Sequence, residues 1–322
     1  MFYPWNKKIQ YGNSKIQLKI MQTILGANGI IARELSKHLP AHTNKIRQAS
    51  RHPQRVNAED DLAVSDLLDF GSTEKAVAGS DIVYLLAGLE YKASVWEEQW
   101  PKVMRNAIDA CKKHNSKLVF FDNVYAYGRV SGPMTEDTPY HPVSRKGEVR
   151  AKIARMLMDE VKAGSLNAMI IRSADFYGPG SLLSMTHSTV FERLKAKKGA
   201  QWIGDLKTIH SFTYTPDAGK TVAILGNSPD AYNQVWHALT SKERITGEDF
   251  VRIACEIAQQ PYRVQAMPRW VVRLLGLFIP VLSEFVEMMY QFEEDYDFDS
   301  TKFEKTFNMK ATLYREGIRS CF

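Results

Sequence analysis

From residue 19 to about residue 180, short apolar runs alternate with longer stretches whose apolar positions recur every three or four residues. This alternation is what a parallel sheet with crossover helices requires. The pattern predicts strands over 19–25, 45–50, 81–86, 117–121 and 168–172, and helices over 29–39, 96–113 and 144–162. The runs at 81–86 and 117–121 are continuously apolar with polar boundaries, as suits parallel strands covered on both faces. After Gly180 the alternation weakens. A loop-rich stretch reaches Ser211, followed by a helix over 217–225, a strand over 234–238, a helix over 246–259 and an extended segment near 296–298. The reading is an α/β chain: an extension (1–20), a Rossmann-type doubly wound parallel sheet (21–180), and a smaller, mainly helical substrate lobe (181–322) with some segments returning to the sheet.

The longest greasy stretch, WVVRLLGLFIPVL from Trp270 to Leu282, contains Arg273 and Pro280. It falls short of the roughly 20 apolar residues a membrane-spanning helix needs. It reads as a buried helix broken at Pro280, with peripheral membrane contact or a homodimer face as the open alternatives.

Composition narrows the class without changing this picture. Of 322 residues, 44% are hydrophobic and 24% charged, which is ordinary for a folded globular protein. The net charge of +6 is spread among interleaved acidic residues, so it reads as a solvated surface and not as a nucleic-acid site. Cys111, Cys255 and Cys321 are far apart and odd in number, against a disulfide framework or structural zinc and in favour of a reducing cytoplasm. The first 20 residues hold no apolar core of signal-peptide length.

The clearest chemistry follows the first strand. Gly26-Ala27-Asn28-Gly29-Ile30-Ile31-Ala32 has the GxxGxxA spacing of a dinucleotide loop. Gly26 permits the tight turn, Gly29 lets backbone approach a pyrophosphate, and Ala32 lets the helix pack on the strand. Phosphates would face the helix N-terminus, alongside Asn28 and Ile30. The second strand ends in Ser50-Arg51 where an acidic residue would receive ribose hydroxyls. A carboxylate would repel a 2′-phosphate and Arg51 with Ser50 would bind one, so NADP is expected over NAD. Asp66 and Leu67 are placed for the adenine, and Ala87-Gly88 ends the fourth strand with small residues where the nucleotide must pass.

Together with Tyr127-Gly128, the run Arg172-Ser173-Ala174-Asp175-Phe176-Tyr177-Gly178-Pro179-Gly180 and Tyr214-Thr215-Pro216-Asp217, these motifs fall in a known order. From about residue 21 the chain resembles the extended and atypical short-chain dehydrogenase/reductases, of the NAD-dependent epimerase/dehydratase type. The resemblance implies a Ser or Thr that polarises a carbonyl, a Tyr that moves a proton, and a Lys four residues later that lowers the tyrosine pKa and holds the ribose. Here those positions fall on Asn123, Lys146 and Arg150. The resemblance also implies a small-molecule substrate met by Tyr125, Asp175, Tyr177 and Tyr214.

Three classes stay open. In an altered oxidoreductase such as a carbonyl reductase, Asn123 donates to the carbonyl, Lys146 is the general acid and Arg150 an electrostatic partner. Tyr125, Tyr140 or Tyr177 could supply the missing donor. In a catalytically silent NADP-binding redox sensor, Lys146 and Arg150 only hold ribose or phosphate oxygens. In an interaction protein the helical C-terminal third is a docking face, and exposed apolar surface over 271–282 would be its first sign. Neither a metal constellation nor a GxSxG elbow occurs, and His187, His210 and the helical methionines read as loop or core residues.

Overall fold

A computed structural model describes residues 20–322; the first 19 residues of the expected extension lie outside them. The first lobe runs β1 (Met21–Leu25), α1 (Ile30–His38), β2 (Lys45–Ser50), β3 (Asp61–Val64), α2 (Phe70–Val77), β4 (Ile82–Leu85), α3 (Ala93–His114), β5 (Lys117–Asn123), α4 (Arg145–Lys162) and β6 (Ala168–Ser173). Next come β7 (Asp175–Tyr177), a π-helical turn His187–Phe191 leading into α5 (Glu192–Lys195), β8 (Ala200–Ile203), β9 (Phe212–Tyr214), α6 (Thr215–Gly226) and β10 (Val235–His237). The chain closes with α7 (Gly247–Ile257), β11 (Val264–Met267), α8 (Arg269–Gly276), α9 (Pro280–Phe285), α10 (Thr301–Phe307) and α11 (Tyr314–Arg319).

Seven strands form one parallel sheet in the order β10-β6-β5-β4-β1-β2-β3. It is a doubly wound Rossmann sheet. β4 and β6 are buried at every position, because helices cover both faces. One face packs Ile31 and Leu35 of α1 and Val222 of α6; the other packs Trp100 and Met104 of α3 and Ile153 and Leu157 of α4. Helix ends carry their expected signals. Ser144 accepts from the Gly147 amide at the start of α4, Thr246 and Asp249 close a capping box on α7, and α3 stops at left-handed Asn115.

The pattern missed β3 and α2. β3 is a four-residue edge strand with Leu62 and Val64 exposed, so no core face disciplines its side chains. The second lobe is built on β8–β11 and β7–β9, two-stranded parallel ribbons around a core of Phe191, Trp202, Phe212, Phe250 and Tyr314.

The Trp270–Leu282 expectation needs correction. The run forms two short helices, with the break at 277–279 and Pro280 opening α9, where its missing N–H costs nothing. It is also not buried: Trp270, Leu274, Leu277, Phe278, Ile279 and Val281 are exposed. Among the described residues no helix is long and apolar enough to cross a membrane.

Candidate functional site

Parallel strands all end on one edge, so the loops after β1, β2, β3 and β4 converge there. Gly26 has φ +86° and donates its amide to Ala49 O at 2.9 Å; a β-carbon on it would meet Ala87 Cα at 2.6 Å. The loop is thus pressed against the end of β4 and only glycine fits. Gly29 differs, because a β-carbon there would make only ordinary contacts, 3.6 Å to Gly26 O and 3.8 Å to Leu86 O. Protein packing does not demand glycine at that position.

Asn28 ties the loop to the end of β2 by donating to His52 O at 2.9 Å. Ile30 is half-buried, with Gly180 against its side chain. The N-terminus of α1 carries no side-chain cap and no acidic residue in its first turn. Beside it the hydroxyl of Ser50 is buried without a hydrogen-bond partner, and Arg51 is exposed. Arg33, on the first turn of α1, reaches Gln54 at 3.2 Å. Asp66 uses Oδ1 to accept the Leu68 amide, fixing its own turn, while Leu67 O accepts from Asn106. Ala87 and Gly88 follow β4, and a β-carbon on Gly88 would meet nothing within 4 Å. An uncapped helix start, an orphaned hydroxyl and open space above Gly88 fit a dinucleotide.

The relay positions are built differently from what the sequence suggests. Asn123, the last residue of β5, spends its carbonyl oxygen on the Tyr125 amide at 3.0 Å. Lys146, in the first turn of α4, is fully buried. Its ammonium donates to Glu284 O (2.9 Å), Glu284 Oε2 (2.7 Å) and Glu287 Oε1 (2.8 Å), and lies 4.6 Å over the Tyr91 ring. An ammonium has three donors, and all three are used. The same two glutamates anchor neighbouring helix starts: Glu284 accepts the Ala93 amide and Glu287 the Arg145 amide. Burial raises the Glu284 pKa, but hydrogen bonds from Lys146 and Ala93 outweigh it and hold the carboxyl below its usual value.

One turn along α4, Arg150 points into the core. Its guanidinium sits 3.3 Å from buried Asp122 and lies over the rings of Trp96 (4.6 Å) and Trp100 (4.1 Å). Arg172 reaches the other oxygen of Asp122 at 3.4 Å and donates to the Tyr140 hydroxyl at 2.6 Å. Two buried arginines therefore share one buried carboxylate. Arg150 is a core ion-pair member in this geometry, and its Nε and Nη1 are buried without a hydrogen-bond partner.

The expected substrate residues separate into two groups. Tyr125 is stacked on Trp96, and burial, with the Asp175 charge adding to it, pushes its phenol well above the ordinary range. Asp175 is half-buried and bonded to His210 Nε2 at 3.0 Å. Tyr177 needs correction as a pocket residue: it is fully buried in the second lobe's core, against Phe212, Phe250 and Tyr314, with its hydroxyl unpartnered. Tyr214 stands beside it, half-buried, with its hydroxyl on Ser320 at 2.8 Å. Of the stand-in tyrosines, Tyr140 is committed to Arg172. Sequence reasoning missed Glu284 and Glu287 altogether. They lie 138 and 141 positions from Lys146, and nothing in their own surroundings marks them as its partners.

Comparison with known proteins agrees with this fold. Residues 22–237 match the model of the NAD dependent epimerase/dehydratase family, and the chain belongs to that family. A Bacillus subtilis (strain 168) protein described as an uncharacterized UDP-glucose epimerase, YtcB, is 23% identical over 157 residues, 46% of this chain. The match spans only 50% of that relative's length. The crystal structure of the Thermus thermophilus UDP-glucose 4-epimerase in complex with NAD is similar at TM-score 0.75 and 17% identity, covering 93% of this chain and 97% of that one. Bacillus cereus UDP-glucuronic acid 4-epimerase, also in complex with NAD, is similar at TM-score 0.76 and 18% identity, over 94% and 97%. At these identities the likeness is one of fold.

Proposed function

We propose that this chain binds a dinucleotide, NADP in preference to NAD, as a redox-responsive binding protein in which the family's proton relay has become structural. The observation that carries this is Lys146: a buried ammonium with all three hydrogens on Glu284 and Glu287 has none left for a substrate oxygen. Asn123 accepts the Tyr125 amide through its side-chain oxygen, and Arg150 lies buried beside Asp122 and the rings of Trp96 and Trp100.

Gly26, Asn28, Gly29 and Ile30 would hold the pyrophosphate at the start of α1. Ser50 and Arg51 would take the 2′-phosphate, Asp66 and Leu67 the adenine, and Ala87 and Gly88 would pass the nucleotide along β4. When bound, the dinucleotide supplies a hydride donor or acceptor; these residues bind and orient it.

The test loads the protein with NADPH or NADP and follows nicotinamide absorbance after adding UDP-glucose, UDP-glucuronic acid or small carbonyl compounds. The expected result is a bound cofactor whose redox state does not change and sugar nucleotides recovered unaltered by chromatography, because a redox-neutral epimerisation would leave no net absorbance change. Turnover that disappears in Lys146→Met would instead establish the carbonyl-reductase reading, in which Lys146 leaves its glutamates to act as the acid.

A further inference from the structure

The hairpin of α8 and α9 presents an apolar face that nothing in the described chain covers. Trp270, Arg273, Leu274 and Leu277 follow the i, i+3, i+4, i+7 spacing of one helix face, and all are exposed. The turn continues that face through Phe278 and Ile279 to Val281. Leu277 and Phe278, at the turn itself, are 76% and 79% exposed, and Trp270 is 69% exposed. The opposite face is fixed in place. Val272 is fully buried with Met267, Met289 and Ile203, Arg269 is bonded to Glu293, and Glu284 holds α9 against Lys146 and the start of α3. The exposed face is thus preformed.

Its charge is one-sided. Among its exposed positions the hairpin carries Arg273 and no carboxylate, since Arg269 is paired with Glu293 and Glu284 is turned to Lys146 on the fixed face. Arg273 lies on the apolar face itself. The parallel pairing of β8 with β11 sets Lys198 and Gly199 beside Arg263, so Lys197, Lys198 and Arg263 stand together one short strand, about 13 Å, from the hairpin. All four cations are exposed and none is in an ion pair among the described residues. A second copy of the chain fits this surface poorly. A two-fold contact sets the patch against itself and encloses two Arg273 cations in one apolar interface, with no exposed carboxylate on the patch to neutralise them. An apolar turn with Trp at its flank and arginine at its edge suits an anionic lipid surface, where acyl chains receive Leu277, Phe278 and Ile279 and headgroups receive the cations.

We infer that the α8–α9 hairpin docks the protein peripherally on anionic membranes. The test is flotation of the full chain with vesicles of phosphatidylcholine containing phosphatidylglycerol, and with phosphatidylcholine alone. Binding is expected to the anionic vesicles, weakening as salt is raised. The double substitution Leu277→Asp, Phe278→Asp should reduce it at least about tenfold, and Arg273→Glu should reduce it less. These side chains are exposed, so unchanged circular dichroism is expected in each variant. Brominated acyl chains should quench tryptophan emission in the native chain, and the quenching should be lost in Trp270→Phe. Failure to float with anionic vesicles, or flotation that the double substitution leaves unchanged, would overturn the inference. So would a dimer in sedimentation velocity that the same substitution dissociates in a protein with no vesicle binding.

Discussion

Lys146 and its two glutamates are buried unequally, and that asymmetry yields a sharp prediction. Lys146 has no exposed side-chain surface, whereas each glutamate retains 23%. Lys146→Met keeps most of the buried stem's volume and leaves two carboxylates that can turn toward water and still accept the Ala93 and Arg145 amides. That change should cost about 1–2 kcal/mol. Glu284→Gln with Glu287→Gln keeps acceptors but strips both charges from around a buried ammonium, and should cost about 3–5 kcal/mol. Adding Lys146→Met to the glutamine pair removes the stranded cation, so the triple variant should be more stable than the double. The assay is urea unfolding at pH 7, read as a shift in midpoint at constant slope. Because the Glu284 pKa is lowered in the folded state, its stabilisation is present above the ordinary carboxylate range and is lost as pH falls through the folded value. A glutamine pair that costs no more than Lys146→Met, or a triple variant less stable than the double, would refute the reasoning.

Arg51→Asp should weaken NADP at least about tenfold more than NAD in calorimetric titration, since a carboxylate repels only the 2′-phosphate. Gly29→Ala should leave the unfolding midpoint nearly unchanged, because its β-carbon meets only ordinary contacts, yet lower dinucleotide affinity at least about tenfold by blocking the pyrophosphate. Gly26→Ala, at φ +86° and 2.6 Å from Ala87 Cα, should lose both stability and binding, by at least about 2 kcal/mol in unfolding. His237 donates from Nδ1 to Asp299 O and accepts the Tyr127 hydroxyl at Nε2, and burial pulls its imidazole down to about 3. Below pH 6.5 the unfolded chain takes up a proton that the folded chain refuses. Stability should therefore fall between pH 6.5 and about 3, and His237→Gln should flatten that slope in unfolding measured across the range.

What the sequence disclosed follows from what local pattern can carry. The strand at 45–50, the GxxGxxA loop and the Ser144-capped helix are set by residues adjacent in the chain, so they were legible. β3 was not, because an edge strand with Leu62 and Val64 turned to solvent lacks the alternation that betrays a core face. The relay positions could be located by counting, but their roles could not. Whether Lys146 is free depends on Glu284 and Glu287, and whether Arg150 reaches a ribose depends on Asp122, Trp96 and Trp100. Tyr177 stood in a motif that suggested a pocket and instead anchors the second lobe's core. The run over 270–282 looked like core for a similar reason. Apolar composition records what a segment can bury against, and only the tertiary structure reveals that no other described residue covers it.

The loops after β1, β2 and β4 meet at one edge of the sheet, where the dinucleotide would bind. Calorimetric titration of the purified chain with NADPH should give saturable one-to-one binding that Gly29→Ala weakens without altering the fold. A flat titration at millimolar ligand, in a protein shown to be folded, would contradict it.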